Sequence, residues 1–586
     1  MQNKLLVTAG LFSVAVSLFA QEALKSTEEE YYDFLSLSGI TRRPTLGYRT
    51  LSDSQWQFVE KENPLFDENG NPLLDEKGNP VTEKTLPEHV WQNNNLGRKR
   101  TLWQSENKGE NWFTRGFDHS IKFKAYGPEW YNSFNTSSPY GQNDGALWQG
   151  KGYNTSLTGG ARLEAYGFEL TIKPQVSFSQ NLGFDYIQPN YSGDIYAGKA
   201  SDYGYYGVPS VDAPQRFGDK PFFTFDWGDT EIRYAWKNLT IGFGTQSIWL
   251  GPAQLNPILH SNNAASYPKI DIGLRKTKLT MPHFGWNLGY IEVRGWWGKL
   301  SESDWFDNDD SNDNNLIVGL GLYYQLPFFK ELTIGVNRTM ISKWNEKNGY
   351  TLFKIFNPLG AKEGGTDNSD QRFSVALDYK NTKIGFETYL EWARNDHSPH
   401  VYYYLRYPFH TQGWTFGSRK TFNLPWGLKG TIQLELTFLE CSADYDRLIN
   451  WYSTFYAHHV VTQGYTNRGQ WLGAGIGTGG NSQYLGITIY HRRGNVTFFG
   501  QRRNPDLDYT MYIDSRKYAD EYKKGNYVAE RNIRVKLDIG ISSNFFLLPN
   551  LNLFGKIVFE NDHHSLYTED SSKYNFLLAF GAKYSL

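Results

Sequence analysis

From Leu428 to Phe438 the chain alternates without a break. Leu428, Gly430, Ile432, Leu434, Leu436 and Phe438 are apolar or small, while Lys429, Thr431, Gln433, Glu435 and Thr437 are polar. A period of two is strand geometry, because successive side chains leave opposite faces of a sheet. A run this long, greasy on one face and charged on the other, suits a wall between hydrocarbon and a wet lumen. The same pattern recurs at Leu316, Val318, Leu320, Leu322 and Tyr324, and at Ile533, Val535, Leu537, Ile539 and Ile541. It returns at Phe576, Leu578, Phe580, Ala582, Tyr584 and Leu586. Aromatic and glycine enrichment (19 Trp, 40 Tyr, 38 Phe and 57 Gly against 4 Met) points the same way, to strands and turns.

Residues 1–20 read as a secretory signal, with Lys4 as the charged start, Leu5 to Phe19 as the apolar core and Ala20-Gln21 as the cut. With 20% charged residues and no second apolar run, a bundle of membrane helices is excluded. An exported chain with this strand pattern is expected as an integral outer-membrane barrel.

Walking the alternation places strands at about 117–126, 157–165, 168–178, 230–236, 239–246, 269–280, 285–297, 316–326 and 332–341. Nine more follow at about 372–379, 384–393, 414–422, 427–439, 483–491, 496–502, 531–542, 550–560 and 574–586. The expectation is an all-β, 18-stranded antiparallel transmembrane barrel over 116–586. Short connectors such as 166–167 and 237–238 alternate with long ones such as 179–229 and 440–482, which puts turns in the periplasm and loops outside. Residues 21–115 differ. Capping boxes at Thr27/Glu30 and Ser52/Gln55 predict two short helices. A polar insertion at about 61–90 carries a near-repeat, FDENGNPL then LDEKGNPV, read as a solvated, turn-rich segment.

The net charge of −2 supplies no basic field for nucleic acid, and the single cysteine, Cys441, excludes an internal disulfide or a multi-cysteine metal site. GxSxG, HExxH, CxxC and phosphate-loop signatures are absent, and Gly475, Gly477 and Gly480 satisfy GxGxxG outside any βαβ pattern. The acidic run from Asp307 and the pairs His458-His459 and His563-His564 read as solvated loop. No catalytic residue, metal ligand or cofactor is therefore predicted.

A polysaccharide reader needs aromatic faces for sugar rings and polar groups for hydroxyls. The loops offer Trp249, His260, Asn262 and Asn263 after strand five, Trp296 and Trp297 on strand seven, and Tyr452, Tyr456, Tyr465 and Arg468 in the loop from 440 to 482. The competing reading of these aromatics is interfacial girdle and lumen packing. Inward positions carry both signs at Glu231, Arg233, Asp271, Arg275, Glu387, Glu391, Lys429, Glu435, Arg534, Lys536 and Asp538. Such a lumen can pair its charges and hold inserted loops, unlike a one-sign pore.

Several segments resemble a known family. SIWLGPAQLNPILHSNNAASYPKIDIGL (Ser247 to Leu274), FGWNLGYIEVRGWWGKL (Phe284 to Leu300) and YSTFYAHHVVTQGYTNRGQWLGAGIG (Tyr452 to Gly477) look like the capsule assembly protein family Wzi. So do EEEYYDFLSLSGITRRP (Glu28 to Pro44) and LSDSQW (Leu51 to Trp56). The pattern positions are Trp249, Gly251, Pro252, His260, Ser261, Asn262, Pro268, Gly464, Tyr465 and Gly469; the insertion at 61–90 and Ile248-Trp249 depart from the pattern. The resemblance implies an outer-membrane barrel of eighteen strands, its periplasmic end closed by a small N-terminal α-helical plug, acting as a non-enzymatic lectin that retains capsular polysaccharide or exopolysaccharide. Its expected partners are surface polysaccharide, outer-membrane lipid and, during biogenesis, the barrel-assembly machinery; it is expected as a monomer. A transport barrel for oligosaccharides or small solutes, and a barrel enzyme, stay as alternatives. Against the enzyme, Glu387 and Glu391 lie four residues apart on one strand, roughly 13 Å, beyond ordinary glycosidase pairs.

Overall fold

The alternation closes into a cylinder. A computed structural model describes residues 26–50, 56–67, 71–75, 78, 80–98, 103–106, 120–189, 201–309, 313–344, 355, 369–395, 411–441, 455–510 and 533–585. The signal segment, Tyr452, Leu586 and the Ser52/Gln55 box lie outside the described residues.

The wall begins with β1 (Ser120–Asn135), β2 (Gly152–Ala165), β3 (Phe168–Ile172 with Gln175–Ser179), β4 (Phe222–Asp226 with Glu231–Trp236), β5 (Leu239–Gly244) and β6 (Lys269–Thr280). It continues through β7 (Asn287–Ser301), β8 (Asn314–Gln325), β9 (Leu332–Lys343), β10 (Ser369–Asn381), β11 (Phe386–Asn395) and β12 (Gln412–Asn423). The circuit ends with β13 (Lys429–Phe438), β14 (Asn481–His491), β15 (Gly494–Asn504), β16 (Val535–Leu548), β17 (Leu551–His563) and β18 (Ser572–Tyr584). Each strand pairs antiparallel with the next, and Leu577–Lys583 of β18 pairs with Glu129–Asn135 of β1 to seal the sheet. Closure leaves no unpaired edge in hydrocarbon. The eighteen expected strands all have counterparts. The first differs most: it is expected to end at about 126, but the register skips from Tyr126 to Glu129 as a bulge and β1 runs on to Asn135.

Side chains sort as the pleat demands. Ile232, Ile270, Ile272, Leu537, Ile539 and Leu578 are exposed on the outer wall, while their neighbours Arg233, Asp271 and Asp538 are buried inside. The inward charges pair within and across strands. Arg233 bonds Asp271 and Glu231, Arg294 bonds Asp271, Arg275 bonds Glu169, Arg503 bonds Asp538 and Arg534 bonds Asp562.

The short-turn end is stoppered from within. α1 (Thr27–Leu37) starts one residue earlier than the sequence pattern suggests. Ser26 is the N-cap, its Oγ accepting from the Glu29 amide at 3.0 Å. Tyr31, Tyr32, Phe34 and Leu35 pack with Trp56, Trp91 and Leu96 against Tyr490 and Phe546 of the wall. The second expected helix is not present over Trp56–Phe58; Gln57–Phe58 instead pairs antiparallel with Thr41–Arg42. Packing decides this, since Trp56 and Phe58 both lie against the Tyr32 ring. A single turn, α2 (Asn95–Arg98), follows, and Asn95 and Asn94 bond the turns at Pro549 and Arg492. The polar insertion is an exposed hairpin of Lys61–Pro64 with Thr82–Thr85. Each copy of the near-repeat is closed by one bridge, Phe66 to Pro72 and Leu74 to Pro80.

Asp33 of α1 is clamped by Arg419 of β12 at 2.7 Å, and Arg419 also bonds Glu387 of β11, which Lys380 reaches at 2.7 Å. Removing one member of a buried ionic cluster strands the others without a partner, at about 3–5 kcal/mol. Arg419→Ala is therefore expected to free α1 while the wall stays intact. Amide exchange over Thr27–Leu37 should rise by at least tenfold, and the heat-modifiable gel shift of the folded barrel should persist.

Candidate functional site

At the long-loop end the connectors fold inward onto acceptors supplied by the wall. In the segment between β5 and β6 the amides of Gln254, Leu255 and Asn256 donate to the Glu435 carboxylate at 2.7–3.1 Å, and Tyr389 donates to it at 2.6 Å. The Ile258 amide donates to Glu391 at 3.1 Å. From below, Leu46 and Gly47 of the plug donate to Glu292 at 2.6 and 3.0 Å, and Tyr48–Thr50 pairs with Ile248–Leu250 inside the lumen. Plug and loop thus meet within the barrel around Tyr48, Ile248, Ile258, Trp296 and Ile317.

The segment between β13 and β14 lies on this platform. Tyr456 donates to the Ile258 carbonyl at 2.5 Å and accepts from Ala474 at 2.9 Å. Ser261 donates to Gly473, Asn263 donates to the Trp471 carbonyl, and Tyr456 stacks on Tyr465 with Arg372 over the second ring at 4.3 Å. His260 bridges Ile248, Ser261 and Tyr267.

Most residues expected to meet sugar therefore sit inside this packing. Trp249, His260, Asn262, Asn263, Trp296, Tyr456 and Tyr465 are all buried, none more than 8% exposed. Trp296 fills the space a side chain at Gly319 would take. Trp297 points outward and packs with the cluster of Leu316, Val318, Met340 and Ile355. Arg468 alone among the described members stands exposed, and it lines a cleft of about 750 Å³ at the long-loop rim.

Trp148, Tyr203 and Trp305 line the same cleft, beside Asp219, Lys220 and Gln470. Tyr203 and Trp305 meet edge-to-face at 5.3 Å, and Tyr203 donates to Asp219 at 2.5 Å, where Arg216 also bonds at 2.7 Å. Gly218, at φ +69°, lies so close to Trp305 that a Cβ would sit 2.5 Å from the ring. Asp212 ties the cleft's loops together, accepting from the Ser303 amide and hydroxyl at 2.7 and 2.6 Å and from the Gly469 amide at 3.1 Å. The Arg468 amide donates to Ser301 at 2.8 Å. Trp148, Tyr203 and Trp305 escape a sequence reading because they come from three loops. The one local sign is an acidic residue immediately before two of them, Asp202 and Asp304.

The family model for the capsule assembly protein Wzi matches residues 133–508. The chain belongs to that family. Wzi of Escherichia coli, described as an outer membrane protein involved in group 1 capsule assembly and a carbohydrate-binding β-barrel, is similar in fold. The match has a TM-score of 0.50 at 12% identity, over 79% of this chain and 85% of that one. Pseudomonas putida OprB matches at 10% identity and a TM-score of 0.33, over 79% and 94%. A mutant porin of Rh. blastica matches at 10% and 0.31, over 80% and 100%. A search of curated proteins found no significant match. With its closed wall and apolar exterior, this Wzi-family chain is an integral outer-membrane protein. Its Wzi pattern positions fall where the loops are locked: Gly251 lies over the Glu391 carboxylate, Ser261 bonds Gly473, and Gly469 bonds Asp212.

Burial pushes the Asp212 carboxyl up to about 7, although Ser303 and Gly469 donate to it. A carboxyl that binds its proton more tightly folded than unfolded adds stability below the ordinary pKa near 4, and that contribution is lost as pH rises towards 7. Amide exchange at Ser303 and Gly469, corrected for intrinsic rates, should therefore speed up between pH 4 and 7 by up to about tenfold per unit and level off above. Asp212→Asn should flatten this profile.

Proposed function

We propose that this protein binds capsular polysaccharide or exopolysaccharide and retains it at the cell surface, as a lectin and not as an enzyme. The observation that carries the reading is the outward-facing cleft, where Trp148, Tyr203 and Trp305 stand beside Arg468, Lys220 and Asp219 above a stoppered lumen. Aromatic faces shed water onto the C–H faces of sugar rings, and the flanking charged groups take hydroxyls or acidic substituents. The description of Escherichia coli Wzi as a carbohydrate-binding β-barrel supports the same reading. In this proposal Arg468 touches glycan, and Trp249, His260, Asn262, Asn263, Trp296, Tyr456 and Tyr465 hold the loops that frame the cleft. Trp297 belongs to the outer wall, and Tyr452 remains a contact candidate in the same loop as Arg468.

Catalysis finds no support in the carboxylates first considered for it. Glu387 is engaged by Arg419 and Lys380, and Glu391 by the Ile258 amide, so both serve the packing. A solute channel is disfavoured by the plug and loop that join inside the lumen. We assign residues 21–115 to the plug with its insertion and 116–586 to the barrel. We expect a monomer, folded by the barrel-assembly machinery and surrounded by outer-membrane lipid.

Titrating purified protein with the native surface polysaccharide tests the proposal. Trp305→Ala should weaken binding by about tenfold, roughly 1–1.5 kcal/mol, and Arg468→Ala should weaken it comparably. Trp236→Ala, on the lipid face, should bind normally. Equal glycan retention by cells with and without the protein would overturn the assignment.

A further inference from the structure

The eight short turns at the plug end fall into two sets. Four consecutive ones, joining β6 to β7, β8 to β9, β10 to β11 and β12 to β13, each lift at least one large apolar side chain at the tip. These are Phe284 (65% exposed), Phe328 (84%), Ile384 (56%) and Trp426 (94%). The other four turns carry Tyr166-Gly167, Lys237-Asn238, Arg492-Arg493 and Pro549-Asn550. At the turn tips the rim is therefore apolar along one half, with Lys330 and Lys383 beside Phe328 and Ile384, and polar or basic along the other, where exposed apolar side chains such as Trp236, Leu239 and Leu548 stop at the strand ends.

The apolar tips are held rigidly. Met281 donates to the Trp286 carbonyl and Gly285 to Met281; Leu332 donates to Phe329; Leu424 donates to Leu428 and Leu428 to Pro425. Trp426 sits at φ +60°, a left-handed conformation that is unfavourable for a bulky residue. Such strain, used to hold an indole away from all cover, calls for something that receives it.

Depth identifies the receiver. On β12 the outward row runs from Trp414, paired with Phe438 and packed beside Trp392 at the opposite rim, through Phe416, Ser418, Lys420 and Phe422 to Leu424, with the Lys420 ammonium turned to the Ile384 carbonyl of the neighbouring turn. Those ten residue steps span about 34 Å of strand, or roughly 26 Å along the axis at an ordinary barrel tilt, which is the height of a lipid-facing band. On β7 the same interval separates Trp297 from Asn287, with Trp286 next in the turn. The tips thus continue the lipid-facing wall at the lower edge of the hydrocarbon, where aromatic rings gain most from acyl contact.

We propose that this crescent, from the turn at Phe284 to the turn at Trp426, is sunk in the inner leaflet at the boundary of acyl chain and headgroup. The turn tips of the opposite half stay in water. The occupant is phospholipid, and the barrel sits with its β6–β13 side deeper than its β14–β5 side. With neighbouring strands 4.7–4.9 Å apart, four turns cover roughly 30 Å of rim, enough apolar surface to bias the tilt of the whole cylinder.

The test uses full-length protein in vesicles of phosphatidylethanolamine and phosphatidylglycerol. Nitroxides are placed singly at Trp426→Cys, Phe328→Cys, Ile432→Cys and Lys237→Cys in a Cys441→Ser background. At 426 and 328 the label should be severalfold more accessible to oxygen than to a nickel chelate, as at lipid-facing 432, while 237 should show the reverse. Independently, brominated phospholipids should quench native fluorescence more than that of Trp426→Phe. Aqueous accessibility at 426 and 328 matching 237, or equal quenching of the two proteins, would overturn the proposal.

Discussion

A carboxylate that points into a barrel lumen has lost part of its water and must find donors, and this requirement organises the molecule. Glu292 takes the amides of Leu46 and Gly47 from the plug, Glu435 takes three successive amides from the segment after β5, and Glu391 takes a fourth. Backbone donors suit the purpose because they are fixed by the chain and carry no charge to be neutralised. Each bond draws a connecting segment into the cylinder, and the wall's own side chains thereby dictate that the lumen is filled.

Other inward charges meet partners on their own strand, on a neighbouring strand or on α1. Asp33, Arg419, Glu387 and Lys380 form one cluster at the plug, and Arg233, Asp271, Glu231 and Arg294 another in the wall. Mixed signs at short range leave little field along the axis, which agrees with a stoppered barrel and not with an ion-selective pore. The proposed function accordingly lies at the rim, where the loops crossing the filled interior present the cleft of Trp148, Tyr203, Trp305 and Arg468.

The strands were legible because lipid outside and charge inside impose a period of two, and that pattern survives without knowledge of any contact. Ile270-Asp271-Ile272 is a complete statement of which way three side chains face. The plug was legible only in part: α1 announces itself by its cap, whereas Trp56–Phe58 has helix-start signals but is drawn into a strand by the Tyr32 ring. The site was the least legible. Trp249, Tyr456 and Tyr465 have the composition of a sugar platform, but tyrosine and tryptophan are equally suited to a core whose polar tips need partners. Tyr456 finds Ile258 and Ala474, and Trp249 finds Ala253.

The amino-acid sequence by itself determined a membrane-spanning cylinder of eighteen strands, short turns at one end and long loops at the other, and the sign of the charges facing inward. These follow from side-chain alternation and connector length, both local along the chain. Only the tertiary structure decided which aromatics face the outside. Burial of a loop residue depends on segments far away in sequence: Ser261 meets Gly473, Asp212 meets Ser303 and Gly469, and Tyr203 meets Trp305. No spacing within one loop encodes a contact whose other half lies about ninety or more residues along the chain.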